Sequence, residues 1–596
     1  MRLTTTCALG ALRAGLCALG LVALTAAGAS AQLIFDGNIM YANRITIADA
    51  TETLADQFLS VTAPTAACPA GYSAFVLGTS TFTHNSYANP LLPNATYQTN
   101  TVPDFKPLPG SPATSHSVVV PADGFFEQTC YAGAIDPAGT DWTQGWTYYD
   151  STGADRQDLH LPGMPDPRPL ATYNNVSIYS PHQYFSADSN YRVLGQLRVK
   201  GGATLTVAPG TVIFEDRATV GTIIVERGGR IHAVGTACDP IIITSGQDPG
   251  SMASGDCGGI YLLGYGKVNP INTCDGDSVA AEGGTVGYFG GNNDDDGSGQ
   301  LRYVRVEFAG RERSANNELN SFTFCAVGRN THVDYCQAFQ GDDDGFEWFG
   351  GTMSSKHLLA IDGHDDGYDT QLGARTRAQF VIVRTSPETS LAGTQWGDKA
   401  VEADNTETAP YDQTICAGRS FIQLANCTFI GDQRVDIPPS TLYPGPLYGL
   451  HWRRGVSYTL QNSIIAYYKT GALGIENDAT WNAHCAAIPA DRTPFCSPQQ
   501  VAVPAVAEGN VLVAYGAPNP FRTRVNLSFS LPQAAPVSVE IFSADGRHMQ
   551  TLAEGEMPAG QHSVTWNVDR GTPAGMYFYR VVAADHVATG KITRVD

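Results

Sequence analysis

From Gln196 onward the chain alternates short β-branched runs with glycine or proline turns. Residues 204–213 (TLTVAPGTVI) align with 222–231 (TIIVERGGRI) at an offset of eighteen, and the run 241–244 (IIIT) follows eighteen to nineteen residues later. Such runs favour strands over helices. One unit every eighteen to twenty-two residues predicts an all-β fold, a right-handed parallel β-helix whose coils stack on one another. Further along, Val304, Val306 and Phe308 are expected to face inward, with Arg305 and Glu307 outward. Strands recur at 380–383, 421–424 and 458–460, and 438–446 reads as a loop thrown out of the stack.

Two coils carry acid where the pattern turns. Gly341-Asp342-Asp343-Asp344-Gly345-Phe346-Glu347-Trp348-Phe349 has a partner twenty-two residues on, Asp365-Asp366-Gly367-Tyr368-Asp369. The apolar-then-acidic pair returns less cleanly at Val401-Glu402 and Ile475-Glu476. Stacked coils would set these carboxylates about 4.8 Å apart, the spacing of neighbouring strands. Like charges that close repel by about 0.9 kcal/mol even at the dielectric of bulk water. A cation among them, or protonation, is therefore expected. Calcium, which takes six to eight oxygen ligands in irregular geometry, is the expected cofactor on Asp342, Asp343, Asp344, Glu347, Asp365, Asp366 and Asp369. Asp294-Asp295-Asp296-Gly297 is a further acidic turn of this kind. The competing reading leaves the acids capping turns through their own backbone.

The pattern divides the chain. Residues 1–31 read as a signal peptide: Arg2, an apolar run from Ala8 to Ala27, and Ala29-Ser30-Ala31 before Gln32. Residues 32–190 show no long amphipathic period and are expected to cap the solenoid or form its early coils. Trp142 and Trp146 there are core aromatics or, alternatively, a sugar-stacking platform. The β-helix is expected over 191–490 and a linker over 491–516. The region 517–596 holds about seven short alternating strands, which predicts a small β-sandwich.

That tail resembles the Ig-like C-terminal module of proteins exported by the type IX secretion system, a fold also found in the flagellar hook-capping protein. The residues that carry the likeness are Pro518-Asn519-Pro520-Phe521, Ser530-Leu531-Pro532, Ile541-Phe542 with Asp545-Gly546-Arg547, Pro558-Ala559-Gly560, Trp566 and Ala574-Gly575-Met576-Tyr577-Phe578-Tyr579. Met576 stands where the family has valine or isoleucine. The resemblance implies handling by the type IX machinery and a secreted, extracellular or outer-membrane surface location. The acidic middle is similar to secreted β-helix proteins of the same bacteria, which implies fold and compartment but no activity.

Charge and cysteine sharpen this picture. The formal charge of -21 disfavours nucleic acid and anionic membranes as partners. No stretch after the leader reaches about eighteen apolar residues, so no transmembrane span is expected in the mature chain. Cys325/Cys336, Cys416/Cys427 and Cys485/Cys496 share one eleven-residue spacing, which in an exported protein reads as disulfides within single coils. The function expected is structural or adhesive, with calcium rigidifying the acidic coils and an exposed face meeting an extracellular glycan or surface protein. The alternative is a calcium-dependent polysaccharide lyase or a glycoside hydrolase. His364 beside Asp343 and Asp344 would serve the hydrolase, and Arg375, Arg377 or Lys399 the lyase. The catalytic reading ranks second, because no Arg-x-Lys follows at the hydrolase position.

Overall fold

The computed structural model describes residues 34–41, 59–62, 85–93, 103–148, 168–248, 250–269, 278–283, 286–314, 317–385, 399–406, 418–431, 448–468 and 471–476, and in the tail 513–517, 523–531, 534–543, 547–558, 560–568, 572–584 and 586–594. Residues 1–496 and 497–596 are separate compact units. The expected leader, the 438–446 loop, most of the linker, and Cys68, Cys274, Cys416, Cys485 and Cys496 lie outside the described residues.

The first unit is a parallel β-helix with three strands to a coil. One sheet runs from Asn190–Val199 through Thr222–Val225, Ile260–Leu263, Phe322–Cys325, Phe346–Phe349, Tyr368–Gln371, Lys399–Ala403 and Tyr448–Trp452 to Gly471–Glu476. Because successive side chains point to opposite faces, Ile223, Leu262, Phe324, Phe346, Trp348 and Tyr368 enter one continuous core. Inside it Phe322 stacks on Phe346 (4.8 Å) and Trp348 on Tyr368 (4.1 Å). Burying each such ring is worth roughly 1.5–3 kcal/mol.

Register corrects the expected repeat. Gln196 pairs with Thr222 and Thr204 with Arg230, both 26 residues apart, whereas Phe346 pairs with Tyr368 at 22. The eighteen-residue likeness joins strands of different sheets, since three similar runs recur within each coil. The twenty-two-residue acidic period is the coil itself.

Between the second and third sheets the chain turns on one residue in the left-handed region: Tyr303, Tyr335, His357, Phe380, Asn426 and Asn462, with φ between 49 and 63°. Non-glycine residues seldom adopt this backbone. Here the rings offset the cost by stacking, Tyr303 on Tyr335 (4.6 Å), Tyr335 on His357 (4.1 Å) and His357 on Phe380 (4.9 Å). A strap formed by residues 118–148 lies along this corner. Val118 exchanges two hydrogen bonds with the Asn462 amide, Glu127 two with that of Gln379, and Tyr148 N donates to Gln337.

The strap changes several expectations. Trp146 is fully buried and meets Tyr303 edge-on, while Trp142 meets His357, so both tryptophans are packing residues rather than a sugar platform. Val304 and Val306 enter the central core, but Phe308 packs in an outer cluster with Phe105 and Ile135. Arg305 and Glu307 point outward as expected, yet are buried and pair at 2.8 Å beneath the strap, Arg305 also donating to Trp146 O.

Cys325 and Cys336 are free thiols, and so is Cys427. Cys336 and Cys427 lie in the central core, whereas Cys325 belongs to an outer cluster. An eleven-residue spacing places the first pair on different sheets and opposite faces, so the expected bridges within coils do not form there. Cys130 is disulfide-bonded.

The second unit is a β-sandwich. Val513–Ala517, Arg524–Leu531 and Gly560–Asn567 form one antiparallel sheet; His548–Met557, Ala535–Ser543, Gly575–Ala583 and His586–Arg594 form the other. Val525, Leu527 and Phe529 from the first meet Val539, Ile541 and Val581 from the second in one core.

Candidate metal centre

The acidic turn 341–345 delivers the chain to Phe346–Phe349, and the next coil repeats the geometry at 363–367. Tight stacking needs glycine here. A Cβ on Gly345 would lie 2.9 Å from Gly367 O, and one on Gly367 would lie 2.3 Å from Val383 Cγ1. Gly345 N donates to Asp366 O (2.9 Å), Asp366 N to Asp344 Oδ1 (3.0 Å) and Asp344 N to Asn320 Oδ1 (3.1 Å). With Phe346, Trp348 and Tyr368 locked inside, Glu347 and Asp369 must fall in register on the outer face.

Two overlapping triads result. Asp343, Asp344 and Asp365 present ligand oxygens within 4.8 Å of one another, and so do Asp344, Glu347 and Asp369. Asn320 Nδ2 and Gln371 Nε2 each donate to Glu347 and fix its carboxylate. Burial raises the carboxyls of Asp343, Asp344, Glu347 and Asp369 well above the usual range, and neighbouring acids add to this. After burial the largest contributors are Asp365 for Asp343, Asp343 for Asp344, Glu282 for Glu347 and Glu402 for Asp369.

The remaining expected ligands are engaged elsewhere. Asp342 faces His364, its Oδ1 3.1 Å from Nδ1. Asp366 accepts from Lys399 N (3.0 Å) and lies 3.5 Å from the Lys399 ammonium. In the further acidic turn, Asp294 pairs with Arg375 (2.9 Å) and Asp295 with Arg329 (2.9 Å). Sequence reasoning missed Glu282 and Glu318, which bear electrostatically on Asp343. They sit outside any repeat, so only the tertiary fold brings them to the acidic coils. Asn320 lies outside the repeat too, whereas Gln371 sits one coil beyond Phe349 and its neutral amide carries no charge signal.

Residues 177–500, more than half of the 596-residue chain, match the family described as the pectate-lyase like beta helix domain. The chain belongs to that family. Residues 517–594 match the secretion system C-terminal sorting domain, so this β-helix protein is a secreted or outer-membrane surface protein handled by the type IX machinery. No helix among the described residues is long and apolar enough to cross a membrane. No curated protein and no solved structure matches the chain.

On the next rung of this β-helix the chemistry changes. Glu402 stacks on Asp369, and His451 on Glu402. Lys399 reaches Glu402 at 2.7 Å, Arg453 bonds both Glu402 and Asp404, and Arg454 reaches Asp404 at 2.8 Å. Burial alone would raise Glu402; Lys399, His451 and Arg453 instead hold it well below its usual value. Glu476 falls two positions beyond this column, since His451 pairs with Gly474.

The two triads suit a hard cation. Calcium binds oxygen at about 2.3–2.6 Å, so two of its ligands stand at most about 5 Å apart, and the oxygens of each triad, all within 4.8 Å of one another, fall inside that span. Both donor sets are oxygen only, without the His or Cys ligands that zinc favours.

Proposed function

We propose that this surface-displayed β-helix binds calcium on Asp343, Asp344, Glu347, Asp365 and Asp369, and that the ion does structural rather than catalytic work. The observation that carries the reading is the pair of triads that share Asp344, in which buried Asp344 and Glu347 stand beside half-buried Asp343, Asp365 and Asp369. Calcium would relieve the repulsion among these acids and tie the acidic coils to Glu282 and Glu318. The groups a lyase would use as a base are committed elsewhere: Arg375 to Asp294, Arg377 to Asp123 (2.8 Å) and Lys399 to Glu402. The adhesive part of the reading rests on an outer column, Tyr184, Thr206, His232, Gln300 and His332, one residue per coil, of which Tyr184, His232 and His332 are exposed. Tyr184 is 59% exposed. A long, thin glycan or an extended surface segment fits such a column.

The family's pectate-lyase likeness favours a second reading, calcium-dependent cleavage of an acidic polysaccharide. One experiment separates the two. The mature protein is titrated with calcium and melted with and without chelator, then incubated with acidic polysaccharides while unsaturated products are followed by absorbance. A calcium-dependent rise in Tm without product supports the structural reading. Product formation that requires calcium supports the lyase. Unchanged Tm at millimolar calcium removes the metal from both.

A further inference from the structure

The far end of the solenoid is closed by the start of the chain. Ile34–Asp36 pairs in parallel with Ser457–Gln461, and Ile39–Tyr41 with Ile464–Ala466. Leu59–Thr62 extends the first sheet beyond Gly471–Glu476. The solenoid's other end begins more than a hundred residues later, at Leu170–Ile178. The last coil is thus completed by a strand some 420 residues away in sequence (Asn38 to Leu460 is 422).

The seat is specific in side chain and backbone. Phe35 and Met40 are each 1% exposed and enter the central core, while Ile39 packs on Ile464 and Ala132. Asn38 Nδ2 donates to Leu460 O (3.1 Å), its Oδ1 accepts from Ser463 N (2.9 Å), and Ile39 N donates to Ser463 O (2.7 Å). Gly37 takes the left-handed corner at φ 69°, and a Cβ there would lie 2.5 Å from Asn462 Oδ1. Without this strand the last coil would present Leu460 and Ile465, now fully buried, beside a row of unpaired backbone groups. Such an edge templates pairing with another chain.

We propose that the solenoid's last coil is a strand-acceptor site, filled in cis by residues 34–41 and able to take the same extended apolar strand in trans. A contact this distant in sequence carries a high loop-closure cost and is expected to form late. The N-terminal strand therefore acts as a clasp: docked, it caps the solenoid; undocked, it leaves an edge that accepts the strand of a second copy.

The test uses the full mature chain with a protease site inserted between residues 41 and 59 and cut only after folding. The severed N-terminal fragment is expected to co-elute with the body on size exclusion. With Phe35→Asp and Met40→Asp together it is expected to separate. A labelled peptide of residues 33–42 should bind the stripped body at least about tenfold more tightly than the uncut protein, and a Gly37→Val peptide should lose that preference. Separation of the wild-type fragment from a body of unchanged Tm overturns the proposal. Retention of the doubly substituted fragment, or equal peptide binding to cut and uncut protein, overturns it too.

Discussion

Two neighbouring rungs of one sheet solve the same electrostatic problem differently. Glu347, Asp369 and Glu402 stand in a single outward column on successive coils. At Glu402 the chain supplies its own cations, Lys399 and Arg453, with His451 above. At Glu347 the partners are neutral donors, Asn320 and Gln371, among further acids, and at Asp369 the effect of Arg453 ranks behind those of Glu402 and Asp404. A built-in guanidinium makes a permanent rung. A rung short of such a cation is, on the proposed reading, completed by calcium from solution.

The largest expected effect lies on the cationic rung. Arg453→Met leaves Glu402 and Asp404 short of their shared partner in a buried setting and should cost about 3–5 kcal/mol, read by denaturant unfolding. Asp369→Asn on the acidic rung should cost nothing comparable in chelator. Equal losses would erase the distinction between the rungs.

Next in size is the ion. At a hundred times its Kd, calcium should add about 2.7 kcal/mol to stability, and Asp343→Asn with Asp369→Asn should abolish the gain. Smaller still, at a pH where the acids are ionised, that double variant in chelator should be stabilised by about 1–2 kcal/mol, since it removes one like charge from each triad and a pair about 4.8 Å apart repels by roughly 0.9 kcal/mol. A destabilised double variant would mean that the acids are satisfied without a metal.

The pH response should carry opposite signs at the acidic cluster and at Glu402. In chelator, Asp343, Asp344, Glu347 and Asp369 have folded pKa values raised above their unfolded ones. The folded state then holds more protons, so their contribution is fully present below the unfolded values near 3.8 and 4.5 and is lost as pH rises through the raised ones. Glu402, with a depressed value, contributes above its unfolded 4.5 and loses that contribution as pH falls through the folded value. Thermal melts from pH 4 to 8 should fall with pH in chelator and flatten when calcium displaces the protons. A rise with pH in chelator would contradict the buried, repelling cluster.

The acidic coil was readable because its period survives in the residues: Phe346 over Tyr368 and Glu347 over Asp369 follow from a twenty-two-residue repeat alone. The β-helix and the sandwich were readable because each rests on local alternation, whereas the sorting tail was identified by its resemblance to a known family in residues such as Pro518-Asn519-Pro520-Phe521. The eighteen-residue offset misled because similarity between strands does not say which sheet they join. The cysteine spacing misled because it carries no information about face.

What the sequence determined by itself is whatever depends on neighbours a few residues or one coil apart: strand, turn, inward ring, outward acid. Tertiary structure decided which outward groups see water. The strap buried Arg305 and Glu307, and Glu282 and Glu318 came to bear on Asp343. It also decided that the chain's first strand would close its last coil. The reason is physical: pleat and period act along the chain, whereas desolvation and charge depend on distance in space, which segments hundreds of residues apart can set.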